Sequence, residues 1–238
     1  PLFFFMHKPA YALLRSLVGS EMCIRDSYDT RTREKRELST LKDGKVGMYV
    51  CGITPYSPSH LGHARCYLSF DVVHRWLEAS GYDVDYVQNF TDIDDKILDI
   101  SDSEGVDFSV VANRNIDDYL EVMDAMNVLR ADHYPRVTET IPEIIDMISE
   151  LKEKGHAYVG DDGVYFEIDT APEKFGQLTG QTLERGRAGA GGRVGGTGSG
   201  KRDHRDCALW KLAKPGEPSW ESPWGEGRPG WHIECSAM

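Results

Sequence analysis

The residue types most able to do chemistry lie in the stretch from Tyr49 to Arg65, YVCGITPYSPSHLGHAR. An apolar run from Val46 to Val50 stops at Cys51-Gly52, crosses a Pro/Ser turn and reaches His60-Leu61-Gly62-His63, where a helical pattern begins. A strand, a short loop and a helix start leave the first-turn N–H groups and the positive end of the helix dipole facing the loop, which suits a nucleotide phosphate. Two imidazoles add donors where negative charge would grow during phosphate chemistry, and the glycine between them lets a ligand lie against the backbone. By spacing alone, H-x-G-H also reads as a surface or capping histidine pair.

The elements that must position this stretch are legible from periodicity. Asp43-Gly44 is a turn before a strand at Val46 to Cys51. After His60, the apolar positions Leu61, Ala64, Leu68, Val72, Trp76 and Leu77 recur at three- and four-residue steps, the helical period, so a helix is expected as far as Gly81. Asp83 to Phe90 alternates and reads as a second strand, parallel to the first if the helix is a crossover. Thr91 or Asp92 is positioned to cap a helix carrying Ile93, Ile97 and Ile100 on one face. Asp92, Asp94 and Asp95 suit its dipole, and a magnesium cluster is the less favoured reading of these carboxylates. Further helices are expected over 108–127, with Ile116, Tyr119, Leu120, Met123 and Met126 inward, and from Thr140 to Gly155, with Ile141, Ile144, Ile145, Ile148 and Leu151 inward. Ala157 to Ile168 reads as a hairpin around Asp161-Asp162-Gly163.

At 238 residues, 40% hydrophobic and 28% charged, the chain has the balance of a soluble globular protein with room for a sizeable core. A net charge of −12 argues against sequence-independent coating of nucleic acid but leaves room for a local RNA-binding patch. Five scattered cysteines in a chain of this length point to a reducing compartment, and each alone reads as a small buried apolar residue. Residues 1–27 look foreign to the rest. Leu2 to Met6 is too short an apolar run to span a membrane, and Ser16 to Ser27 resembles translated sequencing-adapter read-through, so 1–27 reads as a non-native extension. Gly195 to Lys201 imitates a P-loop, yet Arg202 stands where a Ser/Thr is required and no apolar strand precedes it, so the glycine-dominated 186–200 reads as a loop. The Trp- and Pro-rich stretch from Ala208 onward suits a rigid, irregular pocket wall.

Four separated blocks, YVCGIT with HLGH, YVQNFTDIDDKI, ALWK, and KPGEPSWESPWGEGRPGWHIECSAM, together resemble the catalytic domain of the cysteinyl-tRNA synthetase family from about Tyr28 to the end. The resemblance implies an α/β fold, a Rossmann-like doubly wound parallel sheet, with a first half over 28–135, an inserted connective region over 136–219 and the start of a second half over 220–238. It implies that Cys51 and Cys235 are two of four ligands to one Zn²⁺, the others falling outside this chain, while Cys66 and Cys207 pack. Gly52, Thr91 and Trp231 would line the amino-acid pocket. The loop Ile53-Thr54-Pro55-Tyr56-Ser57-Pro58-Ser59, with His60, Leu61, Gly62 and His63, would hold ATP with its Mg²⁺, and His60 and His63 would act on the phosphates. The implied activity is activation of cysteine as an adenylate and transfer to tRNA(Cys), by a cytoplasmic monomer with no membrane association. This chain would be an N-terminal fragment lacking the second nucleotide motif. The alternatives are a ligase joining cysteine to an amino sugar and a non-catalytic nucleotide- or cysteine-binding module. Lys96 and Lys211 favour the synthetase.

Overall fold

The computed structural model describes residues 26–174, 176–178, 200–203 and 205–238. Residues 1–25 of the extension expected over 1–27, and residues 186–199 of the glycine-dominated stretch with most of its P-loop-like segment, lie outside the described residues. Strand β1 (Asp26–Asp29) pairs antiparallel with β2 (Glu34–Glu37), from Asp26 opposite Glu37 to Asp29 opposite Glu34. The hairpin therefore begins two residues inside the segment set aside as foreign.

The α/β core starts with β3 (Lys45–Val50) and β4 (Asp83–Gln88), parallel and in register from Lys45–Asp83 to Val50–Gln88. Helix α1 (Leu61–Ala79) makes the crossover that parallel strands require. A third extended segment runs beside β4, with Gln88 N–H donating to His133 O and Phe90 N–H to Pro135 O. Among the described residues the parallel sheet consists of these two strands and this flanking segment. The other large sheet, expected only in part, is antiparallel.

That second sheet has the order β5 (Ala157–Val159), β6 (Gly163–Phe166), β7 (Cys207–Leu212), β8 (Gly227–Pro229). The connection of three residues between β5 and β6 can only return the chain antiparallel. The boundary expected at Ser219 falls within the β7–β8 connection, so the antiparallel unit continues to β8.

Helix α2 (Asp95–Glu104) is capped by Asp94, whose carboxylate accepts from Lys96 N–H at 3.1 Å, and not by Thr91 or Asp92. Asp92 is instead buried and accepts from both the N–H and hydroxyl of Thr138. Ile93 joins a different core from Ile97. Helices α3 (Phe108–Ala125) and α4 (Ile141–Glu153) bury the expected Ile116, Tyr119, Met123, Ile141, Ile144 and Ile148. α1 forms over the expected stretch, but only two of its periodic apolar positions, Ala64 and Leu77, turn inward. It buries Ala64, Tyr67, Asp71, His74 and Leu77, while Leu61, Leu68, Val72 and Trp76 are exposed. Its inner face combines Ala64 and Leu77 with polar side chains held by neighbouring segments, as where Asp71 accepts from Leu129 N–H at 2.8 Å. Cys66, expected to pack, is exposed on the same helix.

Two main cores result. One joins Val50, Ile53, Tyr67, Tyr86, Phe90 and Tyr119 around the parallel strands. The other joins Ile93, Val137, Ile144, Val164, Trp210 and Ile233 between α4, the antiparallel sheet and α5 (Trp231–Ala237). The candidate site lies where these units meet.

Candidate active site

Cys51 follows the last residue of β3, and Cys235 sits on the second turn of α5. Their sulfurs are 3.7 Å apart although 184 positions separate them in the chain. That is nearly twice the length of a disulfide bond, about 2.05 Å, so both are free thiols. Two sulfurs bound to one zinc at about 2.3 Å with a tetrahedral angle would be about 3.8 Å apart, so the pair fits half of a zinc site. Among the described residues no group of three or more His, Cys, Asp or Glu gathers around a common point.

The pair is held by neighbours that the motif does not reveal. Gly52 N–H donates to Asn89 Oδ1 at 2.7 Å, and the same Asn89 places Nδ2 3.7 Å from Cys235 Sγ. A Cβ at Gly52 would come within 1.6 Å of Asn89 O, so only glycine permits this approach. Tyr67 hydroxyl donates to Cys51 O at 3.2 Å. The hydrogen bond from Cys51 brings the Cys235 thiol down to about 6 against the effect of burial, helped by Tyr49 and Asn89. Cys51 is pushed up by that same hydrogen bond and by burial.

The second cluster lies at the start of α1. His60 is its N-cap, and Nδ1 accepts from Gly62 N–H at 3.1 Å and His63 N–H at 3.4 Å. His63 Nδ1 in turn accepts from His60 N–H at 3.4 Å, a reciprocal capping box built from two histidines. The rings stack with centroids 3.8 Å apart and planes 18° from parallel. Because each Nδ1 accepts, each neutral ring carries its proton on Nε2. Burial, and then the charge of His60, lower the His63 pKa. The capping and phosphate readings of H-x-G-H thus coexist: the Gly62 and His63 N–H groups are spent on the cap, and the imidazole Nε2–H groups are the available donors.

The loop from Ile53 to Ser59 is held from beneath by α3. Asn115 Nδ2 donates to Pro55 O at 3.1 Å, and Ser59 N–H donates to Asp118 at 2.7 Å. Ile53 is buried, Lys96 Nζ lies 4.4 Å above the Tyr56 ring, and Ser59 Oγ is a buried polar atom with no partner among the described residues. Thr54, Ser57 and Pro58 complete its surface, ahead of the exposed Leu61. Thr91 connects loop and thiols, since its N–H donates to Ile53 O at 3.0 Å and its Oγ1 accepts from Asn89 Nδ2 at 3.4 Å. Trp231 is 46% exposed and lies one helical turn before Cys235 on the same face.

Residues 37–238 match the family described as tRNA synthetases class I (C) catalytic domain. The chain belongs to that family. It is 56% identical over 211 residues to the "Cysteine--tRNA ligase" of Pyrococcus abyssi, covering 89% of this chain and 43% of the relative. The protein of that name from Dehalococcoides mccartyi is 53% identical over 211 residues, covering 89% of this chain and 45% of its own length. The chain therefore spans under half the length of the curated relatives it matches. Among solved structures, Mycobacterium tuberculosis methionyl-tRNA synthetase in complex with methionyl-adenylate aligns at 25% identity over 49% of this chain and 24% of its own, with a TM-score of 0.42.

In this class I synthetase domain the three aspartates of TDIDD do three different jobs. Asp92 anchors Thr138, Asp94 caps α2, and Asp95 accepts from Lys211 Nζ at 2.8 Å and also from Arg228. Beside Cys235, the Glu234 carboxyl is 2% exposed, has no partner for Oε2 among the described residues, and is pushed up to about 10 by burial and then by the charges of Cys235, Asp94 and Asp92. Sequence reasoning missed Tyr49, Tyr67 and Asn89. Asn89 lies just past β4 on the same phase as Asp83 and Asp85, so strand alternation gives no sign of its role.

Among the described residues no helix is long and apolar enough to cross a membrane.

Proposed function

We propose that the protein carrying this chain is a cysteine–tRNA ligase, and that this chain supplies its thiol-recognising metal ligands and the histidine half of its nucleotide site. The observation that carries the reading is the Cys51–Cys235 sulfur separation of 3.7 Å, set beside a loop and helix start suited to phosphate. The names of the relatives at 53–56% identity support it.

The reaction joins the cysteine carboxylate to the α-phosphate of ATP and releases pyrophosphate. The cysteinyl-adenylate then passes its acyl group to a ribose hydroxyl of tRNA(Cys), releasing AMP. Mg²⁺ enters with ATP. Cys51 and Cys235 would hold Zn²⁺, which supplies direct coordination of the substrate thiolate. Shape alone would separate cysteine from serine by only about 1–3 kcal/mol. Gly52, Thr91 and Trp231 would shape the slot for the amino acid. The loop from Ile53 to Ser59 would seat the nucleotide while His60 and His63 direct Nε2–H donors at phosphate oxygens as charge develops. Five scattered cysteines in a chain of this length fit a reducing compartment, in keeping with the cytoplasm.

The test uses the full-length protein. Cysteine-dependent exchange of pyrophosphate into ATP, with product formation that requires tRNA, is the expected result, and Cys235→Ser should abolish bound zinc and the exchange together. Product formation that requires an amino sugar in place of tRNA would replace this reading with the amino-sugar ligase. No cysteine-dependent exchange would reduce the chain to a binding module.

A further inference from the structure

In the antiparallel sheet Lys211 on β7 stands directly opposite Arg228 on β8. Two cations facing each other across a strand pair repel. Arg228 is also buried, at 7% exposure, and a buried cation needs a counter-ion. Glu217 lies 3.7 Å from Arg228 Nε, too far for a hydrogen bond. Asp95, the first residue of α2, provides the carboxylate. It accepts from Lys211 Nζ through Oδ2 at 2.8 Å and from Arg228 Nη2 through Oδ1. Burial would raise the Asp95 pKa, but the hydrogen bonds and charges of Lys211 and Arg228 overcome it and hold the carboxyl at about 2.

The two ends of this clamp lead to the two sides of the sulfur pair. On one side, Asp95 follows closely on Asn89 and Thr91, and Asn89 fixes Gly52 and contacts Cys235. On the other, Arg228 is two residues from Gly230, whose N–H donates to Leu209 O at 2.8 Å. A Cβ at Gly230 would approach Ala208 O within 1.9 Å, so the joint between β8 and α5 is packed against β7 with no slack. α5 begins at the next residue and carries Cys235.

We infer that Asp95 is a positioning residue for the thiol pair: by joining Lys211 and Arg228 it holds β8, and through the Gly230 joint α5, so that Cys235 sulfur stays within reach of Cys51. This deepens the proposed reading, because the pair is where that reading places the substrate thiol. It concerns sulfur geometry alone.

Phenylarsine oxide tests it, since one arsenic binds tightly only when two sulfurs reach it together. The probe is titrated against the chain as it is, and against Asp95→Asn, Asp95→Glu and Glu104→Ala, the last removing the exposed Glu104–Arg114 pair as a control. Asp95→Asn should weaken binding by about tenfold or more, as loss of an outer-shell partner does at metal sites. Asp95→Glu should recover part of the affinity, and Glu104→Ala should leave it unchanged. Asp95→Asn binding as tightly as wild type would overturn the inference, as would failure of the wild-type chain to bind. Should Asp95→Asn fail to fold by circular dichroism, Lys211→Met replaces it, with weakened binding supporting the inference and unchanged binding overturning it. The readout needs no cysteine, ATP or tRNA, so a negative exchange assay would defeat the proposed function and leave this result standing.

Discussion

His60 and His63 cap one another: each Nδ1 accepts from backbone at the head of α1, and the two rings stack with centroids 3.8 Å apart. The arrangement spends one nitrogen of each ring on structure and leaves the other as a donor of known tautomer. Local folding and phosphate chemistry therefore use the same two residues without competing.

The first prediction separates those uses. In the full-length protein, His63→Ala should slow cysteine-dependent pyrophosphate exchange by roughly 100-fold through loss of one donor to developing charge. The KM for cysteine should stay within about twofold, because the thiol site lies on a separate element. Loss of the reciprocal cap should lower thermal stability by about 1 kcal/mol. A parallel rise in KM would refute the phosphate role.

Asn89 sits in the YVQNFTDIDDKI block without an assigned role, and it is expected to matter to the site. Its side chain is fully buried, accepts from Gly52 N–H and reaches Cys235. Asn89→Ala would strand the Gly52 donor and should destabilise the chain by about 1–3 kcal/mol in urea unfolding. Asn89→Asp keeps the acceptor but loses the amide donor and buries a carboxyl against the Cys235 sulfur, so it should be no more stable than alanine at neutral pH.

The pH dependence of Asp95 has a definite sign. Its folded pKa, at about 2, lies below that of the unfolded chain, about 3.9. Its contribution is therefore complete above about pH 5 and is lost as pH falls toward the folded value. The stability difference between wild type and Asp95→Asn should be flat from neutral pH down to about pH 5 and shrink toward pH 2. The side chain of Asp95 is 53% exposed, so solvent screening keeps the difference modest.

Gly52→Ala and Gly230→Ala should each be costly for a reason that no side-chain contact reveals. The added methyl would meet backbone oxygen at 1.6 Å in the first and 1.9 Å in the second. Backbone cannot yield as a flexible side chain can, so each should cost about 3 kcal/mol or more. Gly47→Ala, with open space around the new atom, should change stability by less than about 1 kcal/mol. Thermal unfolding of the three variants side by side decides the matter.

Much of the local structure was legible before any coordinates. β3, β4, α3 and α4 lie within a few residues of where apolar periodicity puts them, because strand and helix periods are properties of consecutive residues. The strand–loop–helix stretch with its two histidines was legible for the same reason. Failure came where neighbours distant in sequence decide. The buried face of α1 is chosen by Tyr67, Asp71 and His74 against neighbouring segments, not by the apolar stripe at Leu68, Val72 and Trp76. Asp94, and not Asp92, caps α2 because Thr138, 46 positions onward, claims the Asp92 carboxylate.

The sequence by itself determined which segments become helix or strand and which residues could carry phosphate chemistry. Only the tertiary structure decided that Cys51 and Cys235 form one site, since nothing in the spacing of two thiols 184 residues apart encodes their meeting. Their 3.7 Å separation is the outcome of parallel strand pairing, an asparagine bridge and a packed glycine joint acting together. Such proximity is a sum over contacts between remote segments, and no local pattern contains that sum.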